Sequence, residues 1–155
     1  MKLNFTPEEY SAKAKSLFEQ GYNCAQAVLL AFDDLTGFDE KTAAAISSSF
    51  GGGMGRLREV CGAVSGMFMV AGAVKGYTSP KAVEEKAAHY TLIQALASDF
   101  RKENGNIICR ELLELPGAQS PIPEERTAEY YRRRPCAEYV AAAAKILAQK
   151  LSEED

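Results

Sequence analysis

Residues 47–75 read SSSFGGGMGRLREVCGAVSGMFMVAGAVK, and the second half of this stretch decides the fold class. From Val60 to Val74 no residue is charged; Glu59 and Lys75 mark the two ends. A membrane-crossing helix needs about 20 apolar residues. This run is shorter, and Gly62, Ser65, Gly66 and Gly72 lie within it. It reads as a buried core helix of a soluble protein, entered through the glycine run Gly51-Gly52-Gly53.

Helical signals extend outward from this centre in both directions. Thr6-Pro7-Glu8-Glu9 is a capping box with proline at the first helical position, opening a helix that ends near Gly21. Asn23 caps a second helix, with Cys24, Ala27, Val28 and Ala31 on one apolar stripe before Gly37. Asp39 caps a third that stops at the glycine run. Downstream, Ser79-Pro80 opens the longest helix, with Val83, Ala87, Tyr90, Ile93, Ala97 and Phe100 expected inward and an end at Asn104-Gly105. A short helix follows Asn106 and runs to Pro116. The segment PGAQSPIP is irregular, a polar helix spans about Glu124 to Arg133, and Pro135 opens the last helix through Leu151. Strand-like alternation appears nowhere. The sequence predicts an all-α protein, a single helical domain over residues 1–155 built as a bundle of about six to eight helices.

Composition narrows the function classes. With 46% apolar and 25% charged residues the chain is an ordinary globular one, so disorder is not expected. A net charge of −3 argues against a nucleic-acid binder. The basic run Arg132-Arg133-Arg134 is surrounded by Glu124, Glu125, Glu129 and Glu138, as on a solvated helix face. The N-terminal MKLNFTPEEY has no apolar h-region, so no signal peptide, no membrane partner and a cytoplasmic location are expected.

In a reducing compartment four cysteines imply thiol chemistry, metal binding or inert burial. Their positions on the helix map are alike. Cys24 follows the Asn23 cap, Cys61 opens the helix after the glycine run, Cys109 lies three residues past Asn106, and Cys136 follows Pro135. The first turn of a helix offers free N–H groups and the positive end of the macrodipole, which favour a thiolate. Each cysteine also belongs to an apolar stripe, so the thiols point inward, which suits a shared site and inert burial alike. No C-x-x-C pair occurs, which disfavours a zinc ribbon or a thioredoxin-type motif. Four converging thiolates would suit thiol exchange, an iron–sulfur cluster or another soft metal.

The glycines favour a site. Gly62 and Gly66 share one face of the Cys61 helix, which implies close approach of another backbone or a bulky group. Gly51, Gly52 and Gly53 can turn N–H groups toward an anion or a sulfur, although no Gly-Lys-Ser/Thr follows to make a P-loop. Gly51, Gly52, Gly53, Gly62 and Gly66 are therefore candidate cofactor- or ligand-binding positions. Arg56 and Arg58 precede Cys61 closely enough to stabilise a thiolate or an anionic substrate, with plain solvent exposure as the alternative. His89, the single histidine, has no partner to form a catalytic pair.

With these residues in view, the chain resembles the C_GCAxxG_C_C family of redox-active proteins. The resemblance runs from Asn23-Cys24-Ala25 through Gly51-Gly52-Gly53-Met54-Gly55 and Cys61-Gly62-Ala63-Val64-Ser65-Gly66 to Cys109 and Cys136. The chain has Cys61-Gly62-Ala63 where the family label writes Gly-Cys-Ala. The resemblance implies a redox role for the four cysteines, and a related domain beside haem or iron–sulfur modules keeps an electron-carrier role open. The expectation is a thiol redox protein with Cys61 as the reactive thiolate and Cys24, Cys109 and Cys136 as its companions. One alternative makes the four cysteines ligands of an iron–sulfur cluster or other metal in an electron-transfer protein. A second is a helical interaction protein with inert thiols. The expected partner is an unidentified redox partner, with a homodimer open.

Overall fold

Two capping boxes set the first helices of the computed structural model, which describes residues 1–153. Thr6 Oγ1 accepts from the Glu9 N–H at 3.1 Å and Glu9 Oε2 accepts from the Thr6 N–H at 2.7 Å, starting α1, Pro7–Glu19. Asn23 and Gln26 repeat the exchange at 2.9 and 3.0 Å to start α2, Cys24–Ala31. A single turn, α3 (Asp33–Thr36), ends at the left-handed Gly37, and Asp39 caps α4, Glu40–Ser47. Then come α5 (Gly62–Lys75), α6 (Val83–Asn104), α7 (Cys109–Leu112), α8 (Ala128–Arg133) and α9 (Cys136–Glu153). The fold is all-α, and six of these helices have eight residues or more.

One hydrophobic core draws on α1, α2, α4, α5, α6 and α9. At its centre α2 buries every residue from Ala27 to Ala31. Gly66 explains how closely α5 approaches it. A Cβ there would stand 2.7 Å from the Ala25 carbonyl oxygen and 3.0 Å from Val28 Cβ. Gly72 has no such duty: nothing lies within 4 Å of a Cβ built on it.

Three expectations change. The long helix starts at Val83 rather than at Pro80, and its first half outruns the bundle. Val83 and Tyr90 are exposed, and the buried stripe is Leu92, Leu96, Ala97 and Phe100. The helix after Asn106 shrinks to one turn, because Asn106 Oδ1 accepts from the Ile107 and Ile108 N–H groups and keeps them extended. The polar helix begins only at Ala128, capped by Thr127.

The extended residues make the one β-like contact among the described residues, an isolated antiparallel bridge between Val60 and Ile108. The Cys61 N–H donates to the Ile107 carbonyl at 2.8 Å and the Cys109 N–H to the Glu59 carbonyl at 2.6 Å. Two cysteines 48 positions apart in the chain are thereby tied to adjoining backbone. Among the described residues, no helix is long and apolar enough to cross a membrane.

Candidate functional site

Between α4 and α5 the backbone reverses its hand. Gly52, Gly53, Met54, Gly55 and Arg56 all have φ between 63° and 70°, and Arg58 has φ 60°. Glycine adopts such angles freely, whereas an L-residue pays about 1–2 kcal/mol, so Met54, Arg56 and Arg58 are strained. The turn is closed by Gly55 N–H to Gly51 O at 2.9 Å and Glu59 N–H to Gly53 O at 3.0 Å. Residues held this way are held by their surroundings, and Arg56 and Arg58 show how. Arg56 Nε donates to the Ser120 carbonyl at 2.7 Å. Arg58 Nε and Nη2 donate to Gln119 Oε1 at 3.0 and 2.7 Å, and Arg58 Nη1 donates to Cys109 Sγ at 3.5 Å. Arg58 is only 6% exposed.

The two arginines thus anchor the proline-bearing segment 114–127, which crosses the molecule as a strap. Its far end is fixed by Arg126, whose guanidinium stacks 4.2 Å over the Phe18 ring and donates to the carbonyls of Phe18 and Tyr22 at 2.6 and 2.9 Å. Glu124 on the strap is paired with Arg133 and Arg134. Beneath lies a cavity of about 270 Å³. All four cysteines line it, together with Arg56, Arg58, Arg126, Tyr130 and Tyr139. Cys61 and Cys109 are buried, and Cys24 and Cys136 are partly exposed.

Each sulfur has a different setting. Cys24 is the first residue of α2; burial pushes its thiol up, and the Gly52 N–H pulls against that rise. Cys61 is the N-cap of α5. Burial raises its thiol well above the ordinary range, the charges of Cys24 and Cys109 add to this, and the Val64 and Ala63 N–H groups oppose it without closing a capping hydrogen bond. Cys136 is pushed up to about 12 by burial and then by Cys24 and Cys109, with Arg134 and Arg58 acting the other way. Cys109 is the sulfur with a guanidinium in hydrogen-bond reach.

The glycines divide. Gly51, Gly52 and Gly62 line the cavity; Gly53 and Gly66 do not. A Cβ on Gly62 would lie 2.8 Å from the Phe50 carbonyl oxygen and 3.2 Å from Cys24 Sγ, and one on Gly53 would lie 2.6 Å from Cys109 Cβ. These absent side chains let the protein close around Cys24 and Cys109 rather than opening a route to Cys61.

A family model described as "Putative redox-active protein (C_GCAxxG_C_C)" matches residues 22–150. The chain belongs to this family. No match was found among curated proteins or solved structures. Membership gives this C_GCAxxG_C_C protein a redox-active description, and its cavity brings the family's four cysteines to one place. No group of three or more His, Cys, Asp or Glu side chains among the described residues is arranged to hold a metal ion. As placed, the four thiols do not fit an iron–sulfur cluster.

Arg126 and Tyr139, which line the cavity, and Gln119, which holds Arg58, escaped the sequence reading, because each takes its place only through the fold. Tyr130 lines the cavity, while Tyr131 packs edge-on against Phe18 at 6.2 Å, and His89 lies away from it beside Tyr77.

Proposed function

We propose that this protein is a two-electron thiol–disulfide redox protein whose nucleophile is Cys109 and whose resolving thiol is Cys24. The observation that carries the reading is the buried Arg58 guanidinium, 3.5 Å from Cys109 Sγ, inside the cavity lined by all four cysteines. A buried cation favours the thiolate, which is the attacking species. Arg58 therefore turns the nucleophile role from Cys61, the expected one, to Cys109. Cys24 is the resolving thiol because its sulfur lines the same cavity and Cys109 is the cysteine whose charge acts on it.

The Cys109 thiolate attacks one sulfur of an incoming disulfide, forming a mixed disulfide and releasing one thiolate. Cys24, as thiolate, then attacks Cys109 Sγ and releases the second. The protein gains the Cys24–Cys109 bond and loses two electrons; the incoming disulfide is reduced to two thiols. The reverse sequence regenerates the dithiol. Starting from the reduced state fits a cytoplasmic location, which is part of this proposal.

Reduced protein, oxygen-free, mixed with one equivalent of bis(2-hydroxyethyl) disulfide should lose two of its four thiols. Peptide mass mapping should place the new bond between Cys24 and Cys109. Folded protein that keeps four free thiols over hours would defeat the redox reading; a bond between another pair would defeat the assignment alone.

A further inference from the structure

We propose that the disulfide exchanged here is a small molecule bearing carboxylates, received by Arg56 at the rim of the cavity. This rests on the thiol redox reading of the same cavity. Three guanidinium groups line that space, Arg56, Arg58 and Arg126, and none of them pairs with a carboxylate among the described residues. The one carboxylate on the lining, Glu124, is held at 3.2 and 2.9 Å by Arg133 and Arg134. In the proposed reaction Arg58 is met by the Cys109 thiolate, whereas Arg56 and Arg126, both half-buried at this partly enclosed space, have no counter-charge. An anion entering the cavity supplies what the fold leaves out.

The three arginines are not equivalent. Arg58 spends Nε and Nη2 on Gln119 and Nη1 on Cys109, and Arg126 spends both terminal nitrogens on main-chain carbonyls. Arg56 donates only through Nε, to Ser120, so its terminal nitrogens stay available. Its stem lies against Gly52, on the lining it shares with the four cysteines. A Cβ on Gly52 would stand 3.0 Å from Arg56 Cγ and 3.9 Å from Arg58 Nη1, while the Gly52 N–H faces Cys24. Arg56 can therefore grip a carboxylate two-pronged while the ligand's disulfide reaches Cys109.

Size points to a small molecule. The cavity of about 270 Å³ falls just below the usual range for small-molecule sites, about 300–1,000 Å³. Cys61 and Cys109, each 6% exposed, lie below a rim that includes Gly55, Pro121 and Pro123. A disulfide on the surface of a folded protein would meet the strap before it met Cys109.

The test compares three short disulfides: dithiodiglycolate, with two carboxylates, neutral bis(2-hydroxyethyl) disulfide, and cystamine, with two ammonium groups. Each rate of oxidation of reduced protein is divided by the rate for N-acetylcysteine amide, a neutral thiol without arginines. The normalised rates should fall in the order dianion, neutral, dication, by about tenfold per step at low salt, and converge near 0.5 M salt. Arg56→Gln should lower the dianion-to-neutral ratio by about tenfold, and Arg56→Lys should lower it less. Adipate, which replaces both sulfurs of dithiodiglycolate by methylenes, should raise the melting temperature of wild type and not of Arg56→Gln. Equal normalised rates without an adipate shift overturn this inference and leave the redox reading standing. Failure of all three disulfides to oxidise the folded protein overturns both.

Discussion

Replacing Arg58 by glutamine tests the thiolate assignment most directly. In the native protein the guanidinium lies 3.5 Å from Cys109 Sγ and is almost fully buried. Two unit charges at about 4 Å interact by about 4 kcal/mol at an effective dielectric constant of 20. Much of this is offset by desolvation, and a hydrogen bond to a charged group contributes about 1.5–3 kcal/mol net. Since about 1.4 kcal/mol is a factor of ten, losing the cation should slow alkylation of Cys109 at pH 7 about ten- to hundredfold. The sign is fixed: a cation beside the sulfur favours the attacking anion, so its loss slows alkylation. The assay is iodoacetamide labelling against pH, resolved by peptide mass for each cysteine. Arg58→Lys, which keeps a charge without the fork to Gln119, should fall between the two. Thermal melting guards against a folding artefact, because the Gln119 bonds are lost as well. If folded Arg58→Gln protein labels Cys109 at the wild-type rate at pH 7, or if Cys61 labels first in wild type, the assignment is wrong.

Under reducing conditions the fold should weaken in alkali. Burial raises Cys136 to about 12 in the folded protein, against about 8.5 in an unfolded chain, and Cys24 and Cys61 are also raised. Stability from these groups is full below about pH 8.5 and is lost as pH rises toward about 12, with a slope of about 1.4 kcal/mol per pH unit per titrating thiol. Denaturant melts between pH 8 and 11 should show this decline, and Cys136→Ala should make it shallower. The helix-packing glycines should separate: Gly72→Ala, in open space, should raise the melting temperature by about 1–4 °C, whereas Gly66→Ala, against the Ala25 carbonyl, should cost about 1–3 kcal/mol. Arg126→Ala should free the far end of the strap, seen as faster limited proteolysis within residues 114–127 than in wild type.

What the sequence made legible was local. Thr6, Asn23 and Asp39 announce their helices because a cap and its partner lie three residues apart, and the structure starts α1, α2 and α4 there. The same locality places Cys24 and Cys136 as first helical residues and Cys61 as an N-cap. Contacts between distant segments were not legible. Val60 and Ile108 pair without any alternating pattern, because a single bridge needs none. Gly52, Gly53 and Gly55 signal unusual backbone, but nothing marks Met54, Arg56 and Arg58 as left-handed, and the strap that holds the two arginines is distant in sequence. Arg58 consequently looked like a neighbour of Cys61 in sequence and is a neighbour of Cys109 in space. The apolar period of α6 persists through Val83 and Tyr90 although both stay exposed, so periodicity alone overstated the core.

The four sulfurs come from four helix starts spread across the chain, and the fold alone brings them to one cavity. In the unfolded chain Cys24 and Cys109 are separated by 85 positions, and their effective concentration toward each other collapses. The reduction potential of such a pair and the folding free energy are then two edges of one thermodynamic cycle. The bond stabilises the native state by the same amount that folding favours the bond over its formation in the unfolded chain. For a two-electron couple about 30 mV corresponds to about 1.4 kcal/mol. A substitution far from the cavity that shifts stability of the reduced and oxidised forms unequally would retune the potential without touching a sulfur.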